Sequence, residues 1–129
     1  MNEFKVYYED TDASGRVYHA NYLKFLERGR SDLIYKSNYT HEILFKKFNI
    51  IFIVKECHIK YIKPAYFEDT IHVETYIKEL SRVKINFFQK IIKKNEILIE
   101  ADVLVIPVNK SGKIVKLPNK IFCFLENLN

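Results

Sequence analysis

The stretch Tyr8-Glu9-Asp10-Thr11-Asp12-Ala13-Ser14-Gly15-Arg16-Val17-Tyr18-His19-Ala20-Asn21-Tyr22 sets two acids, a glycine loop and a histidine directly before an amphipathic segment. That order reads as a strand bringing a carboxylate to a tight turn, and a turn delivering the chain to a helix N-terminus. At such a terminus the unpaired backbone N–H groups and the positive dipole end favour an oxygen that gains negative charge. A carboxylate beside an oxyanion site is the minimum equipment for hydrolysing an activated acyl group.

On either side of this stretch the pattern of elements is readable. A first strand is expected from about Phe4 to Glu9. A helix should run from His19 or Ala20 to Ser37, because Tyr22, Phe25 or Leu26, Gly29 and Leu33 recur at three-to-four spacing. Asn38 is a stop signal, and Thr40 can cap a second, short helix through Phe48. From Ile50 the period changes. Ile71, Val73, Thr75 and Ile77 alternate with polar residues, as do Ile97, Ile99, Ala101, Val103 and Val105, which predicts half-buried strands. Lys93-Lys94-Asn95-Glu96 and Asn109-Lys110-Ser111-Gly112 read as antiparallel connections. Pro64 should stop pairing after a strand ending near Ile62, and Pro118 can open a C-terminal helix containing Ile121, Phe122 and Leu125, with a last strand as the rival reading. One long helix with an antiparallel sheet predicts an α+β arrangement, the sheet wrapped around the helix. A single helical layer covers one sheet face, so at least a homodimer is expected.

The 129 residues form one expected domain, 1–129, with 48% hydrophobic and 15% aromatic residues, which excludes a disordered chain. The net charge of +5 suits a polyanionic partner such as the phosphates of a nucleotide-bearing substrate. No nucleic-acid motif accompanies the charge, so a nucleic-acid partner is not expected. Cys57 and Cys123 are too few for a disulfide framework. Both are expected to be buried, reduced thiols of a cytoplasmic protein. The first residues lack a signal-peptide apolar core, and no apolar run approaches the ~20 residues that span a bilayer.

The segments Asp10-Thr11-Asp12-Ala13-Ser14-Gly15 and Val17-Tyr18-His19-Ala20-Asn21-Tyr22-Leu23, in this element order, resemble the 4-hydroxybenzoyl-CoA thioesterase family of the hotdog fold. The His-Ala-Asn-Tyr-Leu form is similar to the YbgC-type acyl-CoA thioesterases of bacteria. Glu27-Arg28-Gly29-Arg30 and Tyr61-Ile62-Lys63-Pro64-Ala65, with Asp69 after them, resemble later family segments. Essentially the whole chain is covered. The resemblance implies an acyl-CoA substrate, no metal or redox cofactor, and an active site at a subunit interface of a homodimer or homotetramer. Two positions depart from the family pattern. Arg16 stands where an aliphatic residue is usual. Gly29 replaces alanine at a cost of about 1 kcal/mol in helix propensity, which a close helix-to-sheet approach would explain.

The resemblance places the essential carboxylate at Asp12, as nucleophile or general base. The residues alone also allow Asp12 to be a turn or cap aspartate. Asp10 would share a strand face with Asp12 if the strand reached that far, and repulsion would then raise one pKa. The blander assignment is that Asp10 orients the loop, and no third ligand accompanies the pair for metal binding. His19 falls at the expected first helical turn, where its backbone N–H is the candidate oxyanion donor and its imidazole a candidate proton donor. Tyr18 and Asn21 should shape the pocket and the helix start, and Gly15 should permit the loop geometry. For the phosphates of coenzyme A, Arg82 is the first candidate and Lys84 the second, on one face of a strand whose other face carries Val83 and Ile85. Two other functions fit parts of the sequence: a weakly catalytic or non-catalytic hotdog protein that binds acyl carrier protein, and a hotdog dehydratase, whose helix pattern is not found here.

Overall fold

The computed structural model describes residues 2–128. Five strands, β1 (Asn2–Lys5), β2 (Ile51–Tyr61), β3 (Thr70–Ser81), β4 (Lys84–Lys93) and β5 (Glu96–Val108), form one antiparallel sheet in the order β1-β3-β4-β5-β2. Three helices accompany it: α1 (Tyr22–Tyr35), α2 (His41–Phe48) and α3 (Asn119–Glu126). The long helix α1 lies across β3 and its neighbours β1 and β4, and the fold is α+β as expected. The alternation of β3, β4 and β5 supplies the floor on which it rests. Ile71, Val73, Ile85, Phe87, Ile91, Ile99, Ala101 and Val103 point inward and are buried against Tyr22, Phe25, Leu26 and Ile34 of the helix.

Local chemistry sets most boundaries. Lys94 and Asn95, both with positive φ, make the two-residue β4–β5 turn. Thr40 caps α2 by accepting the Ile43 N–H at 3.1 Å, and Asn38 and Asn49 adopt left-handed conformations after α1 and α2. Pro118 precedes α3, so the helical reading of the C-terminus holds. Pro64 follows the end of β2 at Tyr61.

Gly29 sits where α1 touches the sheet. A Cβ there would lie 2.7 Å from Val73 Cγ1, 2.9 Å from Thr75 Oγ1 and 3.1 Å from Gln89 Nε2. The close approach anticipated from the sequence is therefore present. Gly29→Ala gains about 1 kcal/mol of helix propensity but crowds three inward-facing side chains, a cost of roughly 1–3 kcal/mol. The expected net result is a loss of about 1 kcal/mol in urea unfolding, with no change in m value.

Four sequence expectations need correction. The first strand ends at Lys5 instead of Glu9, and Tyr8–Asp10 form a 3₁₀ turn. Arg82 and Val83 are the turn between β3 and β4, not strand residues, because pairing passes from Ser81 directly to Lys84. Ile97 is only half-buried: a register irregularity between Ile91 and Ile92 lets Leu98 turn inward instead. Both cysteines are exposed in the chain. Cys57 lies on β2, at a sheet edge whose outer side pairs with nothing described. Cys123 is on the outward side of α3, while Ile121 and Leu125 face the core. Among the described residues no helix is long and apolar enough to cross a membrane.

Candidate active site

The segment joining β1 to α1 is folded by its own polar side chains. Asp10 Oδ2 accepts the Tyr7 N–H at 2.9 Å, closing the 3₁₀ turn. Asp10 Oδ1 accepts Asn21 Nδ2 at 2.9 Å and also the Lys24 ammonium. The Asp10 carbonyl accepts the Tyr18 N–H at 2.9 Å. One buried carboxylate thus ties the end of β1, the loop and the first turn of α1 together. Burial works to raise the Asp10 pKa. Lys24, the Tyr7 amide and Asn21 outweigh it and hold the carboxyl below its ordinary range. Asp10 is therefore a loop-orienting residue. It does not share a strand face with Asp12, because the strand has ended and Asp10 has turned inward.

Asp12 opens a four-residue turn. Its carbonyl accepts the Gly15 N–H at 3.0 Å and its N–H donates to the Arg16 carbonyl at 3.0 Å. Gly15 has φ 79°, the left-handed geometry for which glycine was expected. Asp12 Oδ1 accepts the Ser14 N–H at 2.9 Å and the Ser14 hydroxyl at 2.5 Å. These two bonds, assisted by the nearby charge of Arg16 and His19, lower the Asp12 pKa. The turn and catalytic readings of Asp12 are thus compatible. The side chain shapes the turn through one oxygen, and the exposed carboxylate is presented anionic beside His19. Isolated bridges Thr11–Val17 and Arg16–Tyr66 close the base of the loop, and the Arg16 guanidinium stands over the Tyr66 ring at 5.8 Å.

His19, Ala20 and Asn21 form a 3₁₀ turn that leads into α1, so the α-helix proper starts at Tyr22. Among the described residues no hydrogen bond takes the His19 N–H, leaving that donor for an incoming oxygen. The His19 carbonyl accepts the Tyr61 hydroxyl at 3.0 Å, and its ring lies 4.6 Å from that of Tyr18. Tyr22 is core, as expected, with its hydroxyl accepting the Ala65 N–H at 3.0 Å.

The structure brings together Asp12, Gly15, Tyr18, His19 and Asn21. It does not bring Arg82 or Lys84 to them. The loop packs against Tyr66 and Phe67, just before β3, whereas Arg82 follows the far end of that strand. A twelve-residue strand separates the two by about 36 Å along its length. There Arg82 donates to Asn119 and stands 4.3 Å above the Phe122 ring, and Lys84 lies 3.8 Å from Glu79. Three residues that organise the site escaped the sequence reading: Ser14, Lys24 and Tyr61. Ser14 had a local signal, since an aspartate two residues before a serine invites a side-chain turn. Lys24 and Tyr61 act from 14 and 42 residues away.

Comparison with known proteins agrees with this architecture. The family model described as the thioesterase-like superfamily matches residues 6–125. The chain is 39% identical to the acyl-CoA thioesterase YbgC of Haemophilus influenzae, over 96% of this chain and 92% of that one. It is 36% identical to the acyl-CoA thioester hydrolase YbgC of an Escherichia coli O6:H1 strain, over 81% and 78%. The crystal structure of a probable thioesterase from Bartonella henselae superimposes with a TM-score of 0.88 at 32% identity, covering 91% of this chain and 97% of that one.

Proposed function

Since this chain belongs to the thioesterase-like superfamily, with the hotdog fold and the YbgC-type sequence, we propose that Asp12 is the carboxylate with which it hydrolyses acyl-CoA. The enzyme is an acyl-CoA thioesterase: acyl–SCoA and water give the free acid and CoA thiol. The observation that carries the residue assignment is the pairing of an anionic, exposed Asp12 with an uncommitted His19 N–H in the 3₁₀ turn that leads into α1.

Asp12 acts as nucleophile in this proposal. A general base works best with a pKa near the working pH, whereas Ser14 pushes Asp12 the other way. The lowered pKa keeps the carboxylate ionised, as attack requires. A carboxylate oxygen bonds to the thioester carbon, and the C–S electrons leave with the CoA sulfur. The oxyanion formed in between takes a hydrogen bond from the His19 N–H. Water then cleaves the acyl–aspartyl anhydride, restoring Asp12. No metal or redox cofactor enters these steps.

The site is completed by a second subunit. The chain's long β2 edge is unpaired among the described residues and exposes Ile51, Ile53, Val54 and Tyr61, a surface that invites strand pairing. Arg82 and Lys84, remote from Asp12 in their own chain, would then meet the CoA phosphates held by the other subunit. Sedimentation equilibrium is expected to give a dimer or a tetramer. Val54→Lys, at a position half exposed on that edge, is expected to shift the mass toward the monomer while circular dichroism is retained.

Free-thiol release from short, long and aromatic acyl-CoAs tests the activity directly. Turnover supports it. Binding of acylated carrier protein with no thiol release from any acyl-CoA would replace hydrolysis with a carrier-binding role.

A further inference from the structure

A cavity of about 610 Å³ lies between α1, α2 and β2. Its size falls in the range that encloses a small organic ligand. Ile34, Phe45, Phe52 and Phe87 give it apolar walls, and Arg30, His41, Glu27 and Glu42 interrupt them. We propose that this cavity receives the acyl group and that Arg30 selects acyl groups ending in a carboxylate. The inference rests on the thioesterase reading above.

Continuity comes from β2, which passes both the turn that leads into α1 and α2 itself. At one end the Tyr61 hydroxyl of β2 bonds the His19 carbonyl. At the other, His41 meets the Phe52 ring of β2 at 6.0 Å, and both line the cavity. Between them Cys57 lies within electrostatic reach of Arg30. From Tyr22, at the start of α1, to Arg30 is eight residues, about 12 Å along the helix axis. Leu23 and Glu27, both exposed, lie on the same helix stripe on the way, the first apolar and the second acidic. A chain whose carbonyl sits at the helix start therefore points its far end at Arg30.

The state of Arg30 names the chemistry of that end. Its guanidinium donates to Gln89 Oε1 at 3.1 Å, and Gln89 is fully buried. The Gln89 amide nitrogen is spent on the Leu26 carbonyl and Thr75 Oγ1, both at 2.9 Å, so the tether is rigid and neutral. Among the described residues Arg30 forms no ion pair. Glu27 and Glu42, the acids that line the cavity, are both exposed; the Ser31 hydroxyl engages Glu27 at 3.2 Å and Lys46 pairs with Glu42 at 3.1 Å. A half-buried cation fixed by a neutral amide, with guanidinium N–H groups to spare, matches a ligand carboxylate in charge and in planar geometry.

The test compares sebacoyl-CoA monothioester with decanoyl-CoA, which differ only at the far end. The wild type is expected to prefer the sebacoyl thioester by about tenfold in kcat/KM. Arg30→Gln should remove the preference, and Arg30→Lys should keep part of it. Calorimetric binding of free sebacate, lost in Arg30→Gln, is the accompanying readout. Equal turnover of both thioesters by the wild type, or the same ratio in Arg30→Gln, would overturn the proposal and leave the thioesterase reading standing. An unchanged ratio with a weakened dimer would overturn it by giving Arg30 a carboxylate of a second copy as its partner. Arg30-dependent sebacate binding without any thiol release would support this site and sink the hydrolytic reading alone.

Discussion

Asp12→Asn is expected to lower kcat/KM for acyl-CoA hydrolysis by a factor of about 10²–10⁴ without unfolding the protein. Asparagine keeps an oxygen for the Ser14 N–H, so the turn that opens at Asp12 survives the change. What disappears is the anion. Single turnover in oxygen-18 water, with trapping of the intermediate, separates the two possible roles. Water adding to the aspartyl carbon of the anhydride leaves the label in the Asp12 carboxyl, which a general base never labels. Water adding to the acyl carbon labels only the product acid, and borohydride reduction of the acylated Asp12 side chain, read by mass spectrometry, then makes the distinction. Ser14→Ala probes the same carboxylate from the other side. Ser14 lowers the Asp12 pKa, so its removal moves that pKa up toward the ordinary range of about 3.9. Because the ionised form is the active one, the acid limb of the kcat/KM–pH profile should move to higher pH in the variant. A fully active Asp12→Asn would end the assignment.

Asp10→Ala should have the largest effect on stability, a loss of about 3 kcal/mol. The change strands the Lys24 ammonium and deprives the Tyr7 amide and Asn21 of their acceptor. Lys24 is partly exposed and can turn to water, which keeps the loss at the low end for a broken buried pair. For a chain of this length that is roughly a 10 °C fall in Tm. The pH dependence follows from the lowered folded-state pKa of Asp10. Its contribution is complete above the unfolded-state value near 3.9 and is lost as pH falls through the lower folded value. The stability difference between wild type and Asp10→Ala should therefore be constant at neutral pH and shrink only in strong acid. Turnover measured well below either Tm should fall too, because Asp10 joins the loop carrying Asp12 to the turn carrying His19. Unaltered turnover in a folded Asp10→Ala would show that the loop holds its shape without that link.

The elements most legible in the sequence were those specified by neighbours in the chain. Alternation along Ile71–Ile77, the Lys94-Asn95 turn, the Thr40 cap and the Pro118 helix start each rest on local chemistry, and the structure has all four. The glycine loop and the approach of His19 to the helix start were legible for the same reason. Legibility failed where distant contacts decide. The first strand stopped short because Asp10 folds back on Tyr7 and is captured by Lys24, a residue 14 positions further on in the first turn of α1. The strand assigned to Arg82 became a turn because Ser81 and Lys84 pair directly. Cys57 alternates like a core residue, yet its strand ends up at the sheet edge, which is a matter of strand order and not of spacing.

The length of β3 has a genetic consequence. Each chain carries its Asp12 at one end of that strand and its Arg82 at the other, so in the proposed dimer every reaction centre is assembled from two polypeptides. Two variants, Asp12→Asn and Arg82→Ala, each crippled as a pure protein, should complement when unfolded together and reassembled. Half of the dimers would be mixed, and each mixed dimer holds one centre with both defects and one with neither. Activity of roughly a quarter of the wild type is then expected from a mixture of two inactive parents.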